Sequence, residues 1–227
     1  MSLWVKICGN TSLEDTLVAA EAGADAVGFV FARSPRQVTR EQVGRIISKL
    51  PTAIEKIGVF VDSTFGEVDG SVRECNLTGI QLHFDGSERL SARLRERFGP
   101  ALRILRVAHY GTADATMPND SAVDAVLIDS RTTTAVGGTG VPFDWRAAAD
   151  EFRAQNMPAR IVIAGGLSPE NVEEAIVTLH PWGVDVVSGV EAAPGRKDPD
   201  KVRSFIARAR AAATCGNLSK PDMRRNS

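Results

Sequence analysis

Reactive side chains stand at the ends of short apolar runs in this chain. The first run closes as Lys6-Ile7-Cys8-Gly9. In an extended strand Lys6 and Cys8 share one face, and Val5 and Ile7 share the other. An inward lysine ammonium beside Cys8 would favour a thiolate, able to act as a base or nucleophile. A buried cysteine behaving as a small hydrophobe is the other reading of the same residues. A later run closes as Leu127-Ile128-Asp129-Ser130. A carboxylate there suits general acid or base work, or the capping of the following loop. Ala32-Arg33-Ser34-Pro35-Arg36 carries two arginines that could fork onto a carboxylate or simply be solvated. Gln81-Leu82-His83 ends in one histidine, a type that at a strand end is more often hydrogen-bonded structure than catalyst.

Two further segments suit an anion. Ile163-Ala-Gly-Gly-Leu-Ser-Pro-Glu-Asn171 and Val184-Asp-Val-Val-Ser-Gly-Val-Glu191 each read as a buried strand that stops in small residues. Leu167 and Ser168 then lead into a helix. Backbone N–H groups at a helix N-terminus are where a phosphate is held. Two such turns near the C-terminus describe the phosphate grip after strands seven and eight of a (β/α)₈ barrel. Gly165, Gly166, Ser188 and Gly189 are the candidates, and a phosphorylated small molecule is the implied partner. Gly137-Gly-Thr-Gly140 could close as a lid or approach a substrate. It does not follow a strand directly, as a dinucleotide fingerprint requires. His83, His109 and His180 form no metal pattern, and Cys8, Cys75 and Cys215 lack paired ligand spacing, so no metal is expected.

These groups need a scaffold. Strands are expected at Trp4–Cys8, Ala26–Phe31, Glu55–Val61, Gly79–Leu82, Leu102–Val107, Ala125–Asp129, Arg160–Ala164 and Val184–Val187. Helices are expected at Ser12–Ala22, Thr39–Leu50, Thr64–Asn76, Ser87–Phe98, Trp145–Gln155, Pro169–Leu179 and Asp200–Ala213. Alternation of this kind implies a parallel sheet. The strand number suggests closure into a single α/β TIM barrel over residues 1–213, although periodicity alone also allows an open doubly wound sheet. His109–Val123 is polar, with Gly111, Pro118 and Asn119, and a loop is expected to replace the fifth helix. Thr214–Ser227 reads as a disordered tail.

The 227 residues are 43% hydrophobic and 24% charged, enough to bury a large core. A formal net charge of −1 and a pI near 6.3 give no global pull toward nucleic acid or anionic membrane. No apolar run approaches the roughly 20 residues of a membrane helix. Sparse, unpaired cysteines and a first segment without signal-peptide pattern point to a reducing compartment and a cytoplasmic protein.

Taken together, the segments resemble phosphoribosylanthranilate isomerases, (β/α)₈-barrel enzymes of tryptophan biosynthesis. The likeness runs from Val5 to about Phe205. It is carried by Lys6-Ile-Cys-Gly9, Gly23-Ala-Asp-Ala-Val-Gly-Phe-Val-Phe31, Ser34-Pro-Arg-Gln-Val38, Gly58-Val-Phe-Val61, Gln81-Leu-His83, Ile128-Asp-Ser130, Gly137-Gly-Thr-Gly140 with Phe143-Asp-Trp145, Ala164-Gly-Gly-Leu167, and Gly189-Val-Glu191 with Pro194-Gly-Arg-Lys-Asp198. The resemblance implies an Amadori rearrangement of N-(5-phosphoribosyl)anthranilate without metal or redox cofactor. Asp129 would be the general acid and Cys8 the general base. Arg36 would pair with the anthranilate carboxylate, and Gln81 and His83 would also meet substrate. Gly165, Gly166, Asp185, Ser188 and Gly189 would line the phosphate pocket. Family members are mostly monomers or homodimers.

The chain departs from that pattern twice. Val187 stands where a serine commonly precedes Ser188, and the turn His83-Phe-Asp-Gly-Ser-Glu88 is longer than usual. Two other readings remain: the sugar isomerase of histidine biosynthesis, and a barrel that binds phosphorylated ligands without catalysis. The first expects an aspartate as strand-one base and a second phosphate grip in the first half. Cys8 replaces the one, and no twin of the Ala164–Leu167 turn supplies the other. Cys8 and Asp129 speak against the second.

Overall fold

Eight parallel strands close on themselves in the computed structural model, which describes residues 2–83, 88–109, 121–129 and 160–218. They are β1 (Trp4–Ile7), β2 (Ala26–Val30), β3 (Glu55–Phe60), β4 (Gly79–Leu82), β5 (Arg103–His109), β6 (Ala125–Asp129), β7 (Ile161–Ala164) and β8 (Gly183–Val186). Neighbours in sequence are neighbours in space. The ring shuts where β8 pairs with β1, in the register Lys6 opposite Asp185. The barrel expected from the sequence is therefore the observed fold, and the open sheet is not.

The helices are α1 (Leu13–Glu21), α2 (Arg40–Ile47), α3 (Phe65–Cys75), α4 (Glu88–Phe98), α5 (Val172–Leu179) and α6 (Pro199–Leu218). Local chemistry sets their ends. Thr39 and Gln42 form a reciprocal capping box at the start of α2, and Thr64 and Glu67 do so at α3. Asn76 and His180 end α3 and α5 in the left-handed conformation. The last helix passes the expected end at Ala213 and continues to Leu218, so residues 214–218, expected as the start of a tail, are helical. Its buried positions Val202, Phe205, Ile206, Ala209 and Ala212 follow the helical period. A short antiparallel hairpin, β9 (Glu191–Ala193) and β10 (Arg196–Lys197), was not expected. The expected helix Trp145–Gln155, the Gly137–Gly140 cluster, residues 84–87 of the loop after His83, the centre of the loop expected at His109–Val123, and residues 219–227 lie outside the described residues. Among the described residues no helix is long and apolar enough to cross a membrane.

Strand alternation divides the apolar residues into two bodies. Trp4, Ala26, Ile57, Leu105, Ala125, Leu127, Val162 and Ala164 pack together inside the barrel. Val5, Ile7, Val27, Phe29, Ile80, Ile104, Val126, Ile128, Ile163 and Val184 pack outward in the larger cluster shared with the helices. Trp4 and Trp182 stack with ring centroids 5.2 Å apart at the N-terminal ends of β1 and β8. The guanidinium groups of Arg103 and Arg160 each lie 5.3 Å from the Trp182 ring. Side chains thus fill the lower barrel, and the chemistry is left to the upper ends of the strands.

Candidate active site

A cavity of about 220 Å³ opens at those upper ends. Cys8, Arg36, Gln81, His83, Asp129, Gly165, Gly166, Asp185 and Ser188 all line it. Arg33 and Val187 line it too. Residues from both halves of the chain therefore converge on one space, as ring closure requires.

Its floor is a charged cluster. Lys6 is fully buried, with Nζ 2.6 Å from Gln81 Oε1 and 3.0 Å from Asp185 Oδ1. Gln81 Nε2 lies 2.6 Å from His83 Nε2, so polar contacts run from Lys6 toward the rim. Burial works against the Lys6 ammonium, but Asp185 and Cys8 outweigh it and raise its pKa. Burial pushes the Asp185 carboxyl up against the pull of Lys6, and the charge of Asp129 pushes the same way. Burial also pushes the Cys8 thiol up, although Lys6 and Lys197 oppose it. The pull toward a thiolate expected from Lys6 is present, but burial of the sulfur works against it and is the larger effect. Gly28 on β2 makes the space for this sulfur: a Cβ there would sit 2.4 Å from Cys8 Sγ.

Asp185, expected among the residues of the phosphate pocket, lines the cavity and pairs with Lys6 at 3.0 Å beside Cys8.

Arg36 reaches the cavity from the loop after β2. Its Nε donates to Glu191 Oε1 at 2.8 Å and its Nη2 to Glu191 Oε2 at 2.6 Å. This sideways fork leaves the Nη1–Nη2 end of the guanidinium geometrically able to take a second carboxylate. Arg36 is raised above the usual arginine value, first by its hydrogen bond to Glu191. Glu191 is held low by Arg36 and Lys197, although burial opposes them. Neither Glu191 nor Lys197 was singled out as a site residue. They appeared in the sequence only as members of longer segments: Glu191 at the end of Val184–Glu191 and of Gly189-Val-Glu191, and Lys197 in Pro194-Gly-Arg-Lys-Asp198.

The turns after β7 and β8 also differ in detail from expectation. Gly165 and Gly166 both adopt positive φ, 80° and 65°, which other residues rarely do in succession. A Cβ on Gly166 would meet nothing within 4 Å. Helix α5 begins only at Val172, later than Leu167 and Ser168 suggested. Ser168 N–H donates to Asn171 Oδ1 at 2.8 Å, so it is committed within its own loop. Ser188 lines the cavity at the start of a one-turn 3₁₀ segment, Ser188–Val190. Gly189 is required for a different reason: a Cβ there would lie 1.9 Å from Leu167 O. The two turns approach so closely that only a glycine fits. Among the described residues no three His, Cys, Asp or Glu side chains gather as metal ligands.

Comparison with known proteins bears on this arrangement. Residues 5–208 match the model of the N-(5'-phosphoribosyl)anthranilate isomerase family. The chain is 43% identical over 210 residues to the N-(5'-phosphoribosyl)anthranilate isomerase of Citrifermentans bemidjiense, covering 92% of this chain and 98% of that one. It is similar to the crystal structure of phosphoribosyl anthranilate isomerase from Thermotoga maritima, with a TM-score of 0.78 and 34% identity over 92% of this chain and 99% of that one. Another crystal structure of such an isomerase, in complex with reduced 1-(o-carboxyphenylamino)-1-deoxyribulose 5-phosphate, matches with a TM-score of 0.75 and 33% identity, over the same shares of each chain.

Proposed function

The chain belongs to the N-(5'-phosphoribosyl)anthranilate isomerase family, and from that premise we propose that it converts N-(5-phosphoribosyl)anthranilate to 1-(2-carboxyphenylamino)-1-deoxyribulose 5-phosphate, with Asp129 as general acid and Cys8 as general base. The observation that carries this reading is the convergence of Cys8 from the end of β1 and Asp129 from the end of β6 on one cavity, which Arg36 and the Gly165-Gly166 turn also line.

The steps use these groups in turn. Asp129 gives its proton to the ring oxygen of the ribose. The C1–O bond breaks, and the amine lone pair forms a C1=N iminium. The Cys8 thiolate removes the C2 proton, and the electron pair becomes the C1=C2 bond of an enolamine. A proton then reaches C1 while the C2 hydroxyl loses one, which leaves the ketone. Burial raises the cost of forming the Cys8 thiolate, the competent form of the base. Lys6 and Lys197 lower that cost. Arg36 would hold the anthranilate carboxylate with its free fork. The turns after β7 and β8 would hold the phosphate by backbone N–H groups at Gly165 and Gly166 and by Ser188.

The test is turnover of freshly made phosphoribosylanthranilate, followed by loss of anthranilate fluorescence. Cys8→Ser and Asp129→Asn should each lower kcat by about two orders of magnitude or more, with thermal unfolding unchanged. Near-normal turnover in either variant rejects that residue's role.

A further inference from the structure

Just past β8, the chain folds back as the β9–β10 hairpin and turns at Gly195 with φ +81°. This hairpin is fastened to two loops of the site. Thr11 Oγ1 donates to Gly195 O at 2.6 Å, and Lys197 N–H donates to Asp15 Oδ2 at 3.0 Å, both on the β1 side. A Cβ on Gly195 would lie 3.0 Å from Pro35 O, in the loop that carries Arg36.

The side chain of Lys197 enters the interior and is only 2% exposed. Its Nζ lies 2.6 Å from Cys8 O, 3.1 Å from Val187 O and 3.3 Å from Glu191 Oε1. An ammonium has three donors, and here each has an acceptor. Cys8 and Val187 directly follow β1 and β8, so this one nitrogen ties both strand ends at the seam of the ring. Glu191 Oε1 also accepts from Gly195 N–H at 3.2 Å and from Arg36 Nε. Burying such a pair is not an efficient way to stabilise a fold, since apolar residues of similar volume do as well or better. Its place between Cys8 and Arg36 asks for another reason.

We propose that Lys197 and Glu191 are positioning residues for the reaction: Lys197 fixes the main chain of the base Cys8, and Glu191 aims the free fork of Arg36 into the cavity. The proposal rests on the roles given above to Cys8 and Arg36. It makes the hairpin one device that sets base and carboxylate reader against each other. The cation also acts on the sulfur. The charged groups facing Cys8 are Lys6 on β1, Asp185 on β8, Lys197 on β10 and Arg36 after β2, with Asp129 on β6 acting on Asp185. Lys197 is one of those that favour the thiolate.

The test uses the full chain with Lys197→Met, Lys197→Gln and Glu191→Gln. Iodoacetamide labelling of Cys8, followed by mass spectrometry across pH, reads the thiolate fraction directly. Both Lys197 variants should move the rising limb of labelling up by about one pH unit and lower kcat about tenfold, with KM little changed. Lys197→Gln replaces the charged contact to Cys8 O with a shorter, neutral side chain, so it carries the expectation if the methionine variant does not fold. Glu191→Gln should raise KM about tenfold for phosphoribosylanthranilate, but not for the phosphoribosylaniline analogue that lacks the carboxylate. A labelling limb that stays in place, or a KM rise equal for both substrates, overturns the proposal. Cys8→Ser run in parallel separates the two levels. If it stays active, the reading of the base fails. If it is inactive while the Lys197 variants behave as the parent, only the positioning role fails.

Discussion

Gly28→Ala should disable Cys8, the proposed base, without replacing it. The added Cβ would lie 2.4 Å from Cys8 Sγ, 3.0 Å from Lys6 Cε and 3.1 Å from Cys8 Cα. An ordinary contact is about 3.6 Å, so the sulfur must retreat by about 1.2 Å. The main chain of Cys8 cannot follow freely. Its N–H is bonded to Val186 O at 2.9 Å, and its carbonyl is held by Lys197 at 2.6 Å. The thiol must therefore swing away from its position in the cavity. A misplacement of about 1 Å at a reacting group costs about 100-fold in rate. Overpacking adds a stability loss of about 1–3 kcal/mol. Gly58→Ala is the control. There a Cβ would lie 2.7 Å from Leu77 Cδ1 and from Phe60 Cε2, a similar crowding on the outer face of β3. Both variants should melt lower, but only Gly28→Ala should lose kcat in the fluorescence assay. Equal kcat in the two variants would refute the argument that Gly28 shapes the place of the sulfur.

Other outcomes follow from the same geometry. Lys6→Met strands the buried Asp185 carboxylate, and urea unfolding should show a loss of about 3–5 kcal/mol, whereas Arg203→Ala, which breaks the exposed pair with Asp200, should show no measurable loss. Gly166→Leu should raise KM strongly and leave the fold intact, because a Cβ there meets no protein atom within 4 Å but the side chain must strain a φ of 65° and fill space at the cavity; an unchanged KM in steady-state kinetics would remove that turn from the phosphate grip. Parent Cys8 should react with iodoacetamide slowly at neutral pH and faster as pH rises, with a midpoint above that of a free thiol, since burial raises the pH at which the reactive thiolate forms; a midpoint below the free thiol would reverse the assigned direction.

The strands were legible because each is a short, mainly apolar run, and Lys6 and Cys8 were legible as one face because alternation is local. What the letters conceal is the third dimension. Gly28 and Gly58 stand in similar apolar contexts, yet one faces Cys8 inside the barrel and the other faces Leu77 outside. Asp185 meets Lys6 only through the register of the closing ladder, which local periodicity does not specify. Glu191 lies 155 residues from Arg36, and Lys197 lies 189 from Cys8, so neither pairing has a local signature. The surroundings of Cys8 were half legible for a related reason: the neighbouring charge is written in the sequence, but the depth of burial that works against it is not. Helix α6 runs on to Leu218, past its expected end at Ala213, because residues 214–218 carry no proline and the polar run that suggested a tail does not itself break a helix.

The stacked indoles under the barrel have an optical consequence. Trp4 belongs to the first strand and Trp182 precedes the last, and Trp4 N–H donates to Trp182 O at 3.0 Å. Two indoles 5.2 Å apart couple their electronic transitions, and the coupling exists only while opposite ends of the chain are joined. A circular-dichroism couplet from this pair would therefore time the shutting of the ring without any label. It would distinguish a chain whose strands are paired from one whose barrel has been sealed, a step that contacts so distant in sequence make slow.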